Sequence, residues 1–565
     1  MTCTKFKLTT VAALVFAATN ANAALYKVVE VTPSITGASE IFGVAIQPAT
    51  VTGTESCFTT GTVGGVACDS FKLAGETRNT VEAVSYREEV PFAMDAPFQY
   101  IQEFDDFENY CYRELRYSTC ESWAQNRWND TWSKERFDLT YVNAKAFVEG
   151  GDTFETRNTV INSLDENAQP VGIKSKDDIR NNALFTTTAA PTGASETRAW
   201  RSIKASNGKV YNVGSVSEEF VPTDTSEPDK AYASKAAIWD GTTTKEIDWI
   251  RSGDAKQGDY FAQGSMRSIV ESGSGFYGVG YNTADGNGDL QDMNASVFVS
   301  DSLDLTGATW TTTQISGAEV KSGSSNDDAR YSNSVATDIN DNLFAVGYSK
   351  RNGYVPESGS AGNKPFVVTD AKNPTATYLS GGIFFGGSSG EAKAVNNFNE
   401  FVGQIDAETT REVDGSERRH RGFIYPYNVD SSKDERRVDI FNGQAWWLDD
   451  LTNDGNASGD NNKFRIIDAS DINDAGVISA TAIKCTVGGT TQPYDTTSHN
   501  SYCGGAATNA VEEVVAVKLI PIAGKGKADI QTRSADTEKV ERQGGSLGWL
   551  TLTVLGLLGF RRRFK

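Results

Sequence analysis

A short pattern recurs along the chain and constrains its fold more than any other feature. An apolar residue leads into a polar turn rich in Asn, Asp or Gly, and a second apolar run follows that ends in Val-Gly. The copies are SLDENAQPVG ending at Gly172, SIKASNGKVYNVG at Gly214, SIVESGSGFYGVG at Gly280, DINDNLFAVG at Gly347 and AVNNFNEFVG at Gly403, with a degenerate DINDAGVISA ending at Ala480. The spacing from apolar residue to closing glycine (or Ala480) is eight residues in four copies and eleven in the copies at Gly214 and Gly280. Each copy reads as strand, tight turn and strand, because Asn, Asp and Gly tolerate the left-handed backbone of the turn while β-branched and aromatic residues suit a pleated surface. A further apolar stretch follows most copies, as in KAAIWDG from Lys235, ASVFVSD from Ala295, KPFVVTD from Lys364, RGFIYPY from Arg421 and EVVAVKL from Glu513.

Closing glycines lie 42, 66, 67 and 56 residues apart, with 77 to Ala480. Units of about 40–50 residues with four strands build propeller blades, and the excess fits loops. The expected fold is therefore mainly β, a repeat-built β-propeller-like domain of six or seven blades, with a β-solenoid or tandem β-sandwiches as the alternatives. The stretch Ile41 to Gln47 is expected to supply a poorly matching extra repeat or a closing strand. Residues 96–150 break the pattern: they are aromatic, charged and poor in glycine, and Tyr110, Leu115, Trp123 and Trp128 suit helices. They are read as a small helical insertion.

The two ends have a different character. Lys5 and Lys7, the apolar run Leu8 to Ala18 and the small residues of Ala21-Asn22-Ala23 make a secretory signal cleaved by signal peptidase after Ala23. At the other end, Gly544-Gly545-Ser546 precedes fourteen apolar-rich residues, Leu547 to Phe560, and a basic end, Arg561 to Lys565. Fourteen residues span only about 21 Å as a helix, short of a typical hydrocarbon core, and the basic end orients such a segment with its charges in the cytoplasm. The expected organisation is signal peptide 1–23, N-terminal β segment of the repeat domain 24–95, helical insertion 96–150, β-repeat domain 151–521, polar linker 522–543 and tail 544–565.

This tail resembles the GlyGly-CTERM sorting tail. The resemblance implies cleavage near Gly544 and Gly545 by a rhombosortase-type intramembrane protease, passage through the type II secretion machinery and display at the cell surface after a transient C-terminal membrane anchor. The internal pattern resembles the extracellular HAF-type repeat, A-x-x-I-N-x-x-G-x-x-V-G followed by A-F-x-W, over roughly residues 155–520, although several copies lack the turn glycine and most lack the tryptophan. The whole chain resembles an uncharacterised exoprotein domain family, which implies architecture and address but no chemistry.

Composition narrows the partners. The chain has 53 basic and 74 acidic residues. The two processed ends hold six of the basic residues and none of the acidic ones, so the mature net charge is −27. Such a surface does not provide the basic footprint that phosphate binding needs, so nucleic acid is excluded as a partner and an unknown extracellular ligand is expected. Once the signal is removed, six cysteines remain. In an oxidising compartment they read as disulfides, with the local pairs Cys57–Cys68, Cys111–Cys120 and Cys485–Cys503 expected from their order.

Catalytic signatures are missing. There are two histidines, His420 and His499, both in polar surroundings that suit solvated side chains. HExxH and Walker sequences do not occur. No catalytic residue is assigned, and an enzyme is the less favoured reading. Abundant carboxylates leave a secreted hydrolase acting on extracellular glycans as one alternative, and a structural envelope component as another. No cofactor is assigned; the candidate is calcium, on Asp285, Asn287, Asp289 and Asp292, whose alternating oxygen side chains are separated by glycines, with an Asp/Gly-rich hairpin loop that holds no ion as the favoured alternative. A weaker relative runs from Asn453 through Asp460. Trp123, Trp128 and Trp132 are read as packing residues ahead of sugar-stacking ones, and Trp446-Trp447 as core. The function that fits is an exported, surface-displayed, noncatalytic binding or interaction protein.

Overall fold

A computed structural model describes residues 24–37, 40–53, 55–78, 104–112, 119–129, 133–134, 140–142, 144–155, 159–175, 182–183, 196–220, 231–257, 260–285, 292–319, 334–350, 362–407, 419–429, 434–455, 460–488, 490–491 and 510–533. The chain is mainly β. Among the described residues seven antiparallel sheets of three to five strands follow one another along the sequence, accompanied by two two-stranded ribbons.

Each repeat is the hairpin that opens a sheet. The first sheet opens with Glu40–Ile46 and Leu73–Arg78, the second with Val160–Leu164 and Pro170–Ser175, and the third with Glu196–Lys204 and Val210–Phe220. The fourth opens with Gly264–Ser272 and Gly275–Asp285, the fifth with Ser334–Ile339 and Ala345–Lys350, the sixth with Gly390–Val395 and Glu400–Asp406, and the seventh with Phe464–Ile472 and Ile478–Val487. The downstream apolar stretches become third strands, such as Ala231–Trp239 and His420–Pro426. Ile41 to Gln47 supplies the additional, poorly matching repeat and not a closing strand: Glu40–Ile46 is the leading strand of a four-stranded sheet. Its glycine partner, Gly75, is separated from it by the Cys57–Cys68 loop, which hides the repeat spacing.

The turns require a left-handed residue whether or not glycine is present. Gly208, Gly273 and Gly476 supply it in three hairpins, whereas Ala168, Leu343 and Asn399 adopt φ of 59°, 60° and 56° in three others. Asn tolerates this region, but Ala and Leu are strained there.

Leading strands of consecutive sheets touch one another, and that of the seventh touches that of the first, so the seven strands form a closed cycle of neighbours. The core lies between facing sheets. Tyr211, Val213 and Ile238 pack on Met266, Ile269 and Phe298, while Val279 and Val297 pack on Ala336, Ile339 and Phe366. Phe344 and Val346 meet Phe401, Ile405 and Phe423, and Val402 and Ile424 meet Ile466, Ala480 and Val517. The seventh sheet joins the first and last strands of the described residues: Tyr26–Glu30 is its outermost strand and pairs with Ala510–Pro521, with Tyr26 opposite Pro521 and Glu30 opposite Val517.

The excursion after the first hairpin contains the helices Phe104–Tyr110 and Glu121–Arg127, joined by Cys111–Cys120, and rejoins the first sheet as Lys145–Val148. Trp123 is buried, as packing requires, and Trp132 lies outside the described residues. Trp446 and Trp447 are half-buried and pack against the core clusters between sheets. Cys485 is disulfide-bonded, and Cys503 lies outside the described residues. Among the described residues no helix is long and apolar enough to cross a membrane. Ala23, Gly544 and Gly545 lie outside them.

Candidate binding cavity

The leading strands share a defect that builds the site. Each carries a β-bulge immediately after the residue paired with the repeat glycine, or with Ala480 in the seventh sheet. A bulge inserts one unpaired residue and re-aims its side chain. The bulge also explains the glycine. A Cβ on Gly214 would sit 1.8 Å from the Arg198 carbonyl oxygen, and one on Gly403 would sit 1.9 Å from that of Glu391. In the first six sheets the kinked partner strand presses a carbonyl against the glycine, whereas the seventh, whose leading strand has a second irregularity between Ile466 and Asp468, accommodates Ala480 at the same place.

The bulged residues are Val44, Asn162, Trp200, Arg267, Thr337, Lys393 and Ser470, one from each sheet, and all seven line a single cavity of 420 Å³. Three of them hold neighbouring sheets together. Asn162 Nδ2 donates to the Ala199 carbonyl (2.8 Å), Thr337 Oγ1 to that of Ala392 (2.7 Å) and Ser470 Oγ to that of Gly43 (2.8 Å). The charged and aromatic members do something else. The Arg267 guanidinium lies 3.5 Å above the Trp200 ring centroid. Lys393 Nζ lies 2.9 Å from Asp468 Oδ2 and 3.8 Å from Glu391 Oε2, and both carboxylates line the same cavity.

A second cavity, of 670 Å³, lies at the hairpin turns. Its wall is braced by the repeat's Asn and Asp. Asn340 Nδ2 donates to the Asn396 carbonyl (2.8 Å), Asn396 Nδ2 to that of Asn473 (3.2 Å), Asn473 Nδ2 to that of Gln47 (3.0 Å) and Gln47 Nε2 to that of Glu166 (2.9 Å). This staircase steps from the fifth sheet through the sixth, seventh and first to the second. Asp338 and Asp471 act alike, each accepting a backbone N–H from the next sheet, Val395 and Ile46 respectively, at 2.9 Å.

Arg201 and Asp471 line both cavities. Arg201 reaches from the third sheet to Asp338 of the fifth, with Nη2 3.3 Å from Oδ1. Burial opposes its charge, but Asp338 and Asp471 outweigh that and raise its pKa. Burial pushes Asp471 up to about 6 against the pull of Arg201. One guanidinium thus stands where the two cavities meet, paired with Asp338 of the fifth sheet and attracted by Asp471 of the seventh.

The expected calcium ligands are placed only in part. Asp285 and Asp292 end adjacent strands of the fourth sheet and pair across them, while Asn287 and Asp289 lie outside the described residues. Among the described residues no group of three or more His, Cys, Asp or Glu side chains could hold a metal ion. His420 is not simply solvated: its Nε2 lies 3.1 Å from Oδ1 of the buried Asp406. His499 lies outside the described residues. The sequence reading singled out none of Trp200, Arg201, Arg267, Glu391, Lys393 and Asp468. A signal was present in the polar residue two positions before the apolar residue that opens each repeat hairpin.

No curated protein matches the chain. Residues 215–563, more than half of the sequence, match the family described as "Protein of unknown function (DUF3466)", beginning just after Gly214 and spanning the last four sheets and the C-terminal tail. The chain belongs to that family.

Proposed function

We propose that the chain is a seven-bladed β-propeller acting as an exported, surface-displayed, noncatalytic binding protein, with its ligand in the 420 Å³ cavity. The observation that carries this reading is the convergence of one bulged residue from every sheet on a single cavity whose volume is typical of small-molecule sites. The cycle of leading strands and the pairing of Tyr26–Glu30 with Ala510–Pro521 in the seventh sheet support the propeller, since such closure locks a ring of blades. The signal at Ala23 and the tail at Gly544-Gly545 support export through signal peptidase, the type II route and a rhombosortase-type protease.

The hydrolase alternative finds two facing carboxylates in Glu391 and Asp468. The Lys393 ammonium stands between them, in the space a scissile glycosidic oxygen would need. The binding reading is therefore preferred.

The test is a thermal-shift screen of the mature protein against small metabolites and oligosaccharides, run beside a broad hydrolase screen. A ligand that raises the melting temperature of the wild type but not of Lys393→Ala, without turnover, is the expected result. Hydrolysis abolished by Asp468→Asn would overturn it. Mass spectrometry of the exported chain, starting at Ala24 and ending near Gly544, tests the address, and full-length termini would refute it.

A further inference from the structure

The chain does not leave the body where its last described strand ends. Ala510–Pro521 pairs with Ile478–Val487 so that Leu519 stands opposite Ile478, just past the hairpin turn of the seventh sheet. Pro521 therefore lies at the end of the ring that holds the hairpin turns and the 670 Å³ cavity. Residues 522–533 then return along the seventh sheet to the other end. Ile522 N donates to the Leu25 carbonyl (2.8 Å) and Gly524 N to that of Phe58 (2.7 Å), whose ring lies against the turn glycine Gly476. Ile530 packs on the core, and Asn453 Nδ2 donates to the Gln531 carbonyl (3.2 Å). Arg533 ends the path at Phe464, which opens the leading strand opposite Lys484, far from the turn.

Arg533 is held as a lock. Its side chain is 5% exposed, with Nη1 donating to the Phe464 carbonyl (2.8 Å) and Nη2 to that of Asn462 (2.9 Å). Its backbone N–H donates to Asp450 Oδ1 (2.7 Å), and Nη1 stands 3.7 Å from the buried Asp449, which Arg465 also holds at 3.0 Å. Withdrawing a buried guanidinium from two carbonyls and a carboxylate is costly, because the acceptors it leaves are not repaid by water.

This return bears on the two cavities. The 420 Å³ cavity extends from Arg201 and Asp471 toward Arg78, Tyr348 and Gln404, which pair at or next to the starts of the leading strands. Arg533 stands at that same end. Gly544 follows Pro521 by 23 residues but Arg533 by 11. Docking therefore shortens the greatest reach to Gly544 from about 80 Å to about 40 Å, and moves its root from the turn end to the cavity end. The nine-residue leading strand is itself about 30 Å long. A leash of comparable length, rooted at one end, keeps that end nearer the membrane than the other.

We infer that residues 522–533 are a strap that orients the anchored protein, with the end holding the 420 Å³ cavity toward the lipid surface and the end holding the 670 Å³ cavity away from it. The inference rests on reading residues 544–565 as a membrane anchor. The cavity is then approached from the lipid side until the chain is cut near Gly544. The test is energy transfer from a dye on the protein to a headgroup-labelled acceptor lipid, with residues 24–565 held in phosphatidylcholine vesicles. The dye is placed on Ser252→Cys or Ser274→Cys, both exposed and across the ring from the seventh sheet. Ser252 follows Arg251, whose N–H donates to the Thr283 carbonyl near the strand-start end of the fourth sheet, whereas Ser274 lies in that sheet's hairpin turn. Transfer from Ser252→Cys is expected to exceed that from Ser274→Cys about twofold or more. The difference should vanish with Arg533→Glu, which sets a third carboxylate against Asp449 and Asp450. It should also vanish when about twenty Gly and Ser residues are inserted after Arg533, which lengthens the leash and leaves the strap docked. That insertion decides the matter if Arg533→Glu does not fold, as near-UV circular dichroism reports. Equal transfer from the two positions, or a difference that survives in either folded variant, overturns the proposal. If the full chain does not float with the vesicles, the anchor reading fails and the orientation with it, while ligand binding in the thermal-shift screen is decided separately.

Discussion

Replacing Gly403 by alanine tests the central structural argument, that a carbonyl of the bulged partner strand dictates the repeat glycine in the first six sheets. The new Cβ would lie 1.9 Å from the Glu391 carbonyl oxygen and 3.1 Å from the Phe423 ring. Ordinary contact begins near 3.4 Å, so the strands must separate by roughly 1.5 Å at a point where both are hydrogen-bonded. The clashing atom is backbone and cannot rotate away. Overpacking of this kind costs about 1–3 kcal/mol, and loss of one ladder hydrogen bond adds about 1 kcal/mol. The expected loss is about 2–4 kcal/mol, read by urea denaturation of the mature protein. Gly386 is the control: a Cβ there meets nothing within 4 Å, and its φ lies outside the left-handed region. Gly386→Ala should be neutral, or stabilise by up to about 1 kcal/mol through the unfolded chain. If Gly403→Ala is no worse than Gly386→Ala, the carbonyl does not set the glycine and the reasoning fails.

Other consequences are open to the same measurement. Asn396→Ala removes a buried amide that bonds Asn473 and caps its own turn through Phe398 N and Glu400 N, and should cost about 1–3 kcal/mol. Ala168→Gly relieves a left-handed alanine and should stabilise by about 1 kcal/mol; no gain would argue against strain there. Asp471 titrates near 6 in the folded protein, above its unfolded value of 3.8, so its stabilising contribution is present below pH 3.8 and is lost as pH rises through 6. Asp471→Asn should accordingly flatten the fall in stability between pH 4 and 6, and an unchanged slope would refute this assignment. For the calcium candidate at Asp285 and Asp292, which pair across the fourth sheet, melting with and without a chelator is decisive: a transition that falls with chelator supports an ion there, and coincident curves overturn the site.

Much of the fold was legible because hairpin chemistry is local. Turn residues, alternating apolar strands and a closing glycine identified the opening hairpins of six sheets, from Val160–Leu164 to Phe464–Ile472. The first sheet was obscured because the disulfide loop from Cys57 to Cys68 separates Ile46 from Gly75 and destroys the spacing by which the others were recognised. The turns at Ala168 and Leu343 show that tertiary packing holds a left-handed backbone without the residue that favours it.

The site was less legible, although the sequence contained a discrepancy that marks it. In an unbroken strand, residues two apart share a face. Asn162, Arg267, Thr337, Lys393 and Ser470 each stand two before a buried apolar residue, yet are polar. Each is itself the bulged residue, which takes it out of the strand's alternation. Period-two reasoning passes over such a residue, and which way it turns depends on the partner strand.

By itself, the sequence determined the hairpins and the number of residues in most repeats, because each depends on neighbours close along the chain, and the order of the cysteines suggested the local pairs Cys57–Cys68 and Cys111–Cys120 that the structure contains. Only the tertiary structure decided that Tyr26–Glu30 completes the last sheet, that Arg201 reaches Asp338 and that seven bulged residues meet in one cavity. Those juxtapositions join residues separated by up to several hundred positions. They exist because each sheet must bury both faces, and burying both faces of every sheet brings the chain around into a closed cycle of neighbours.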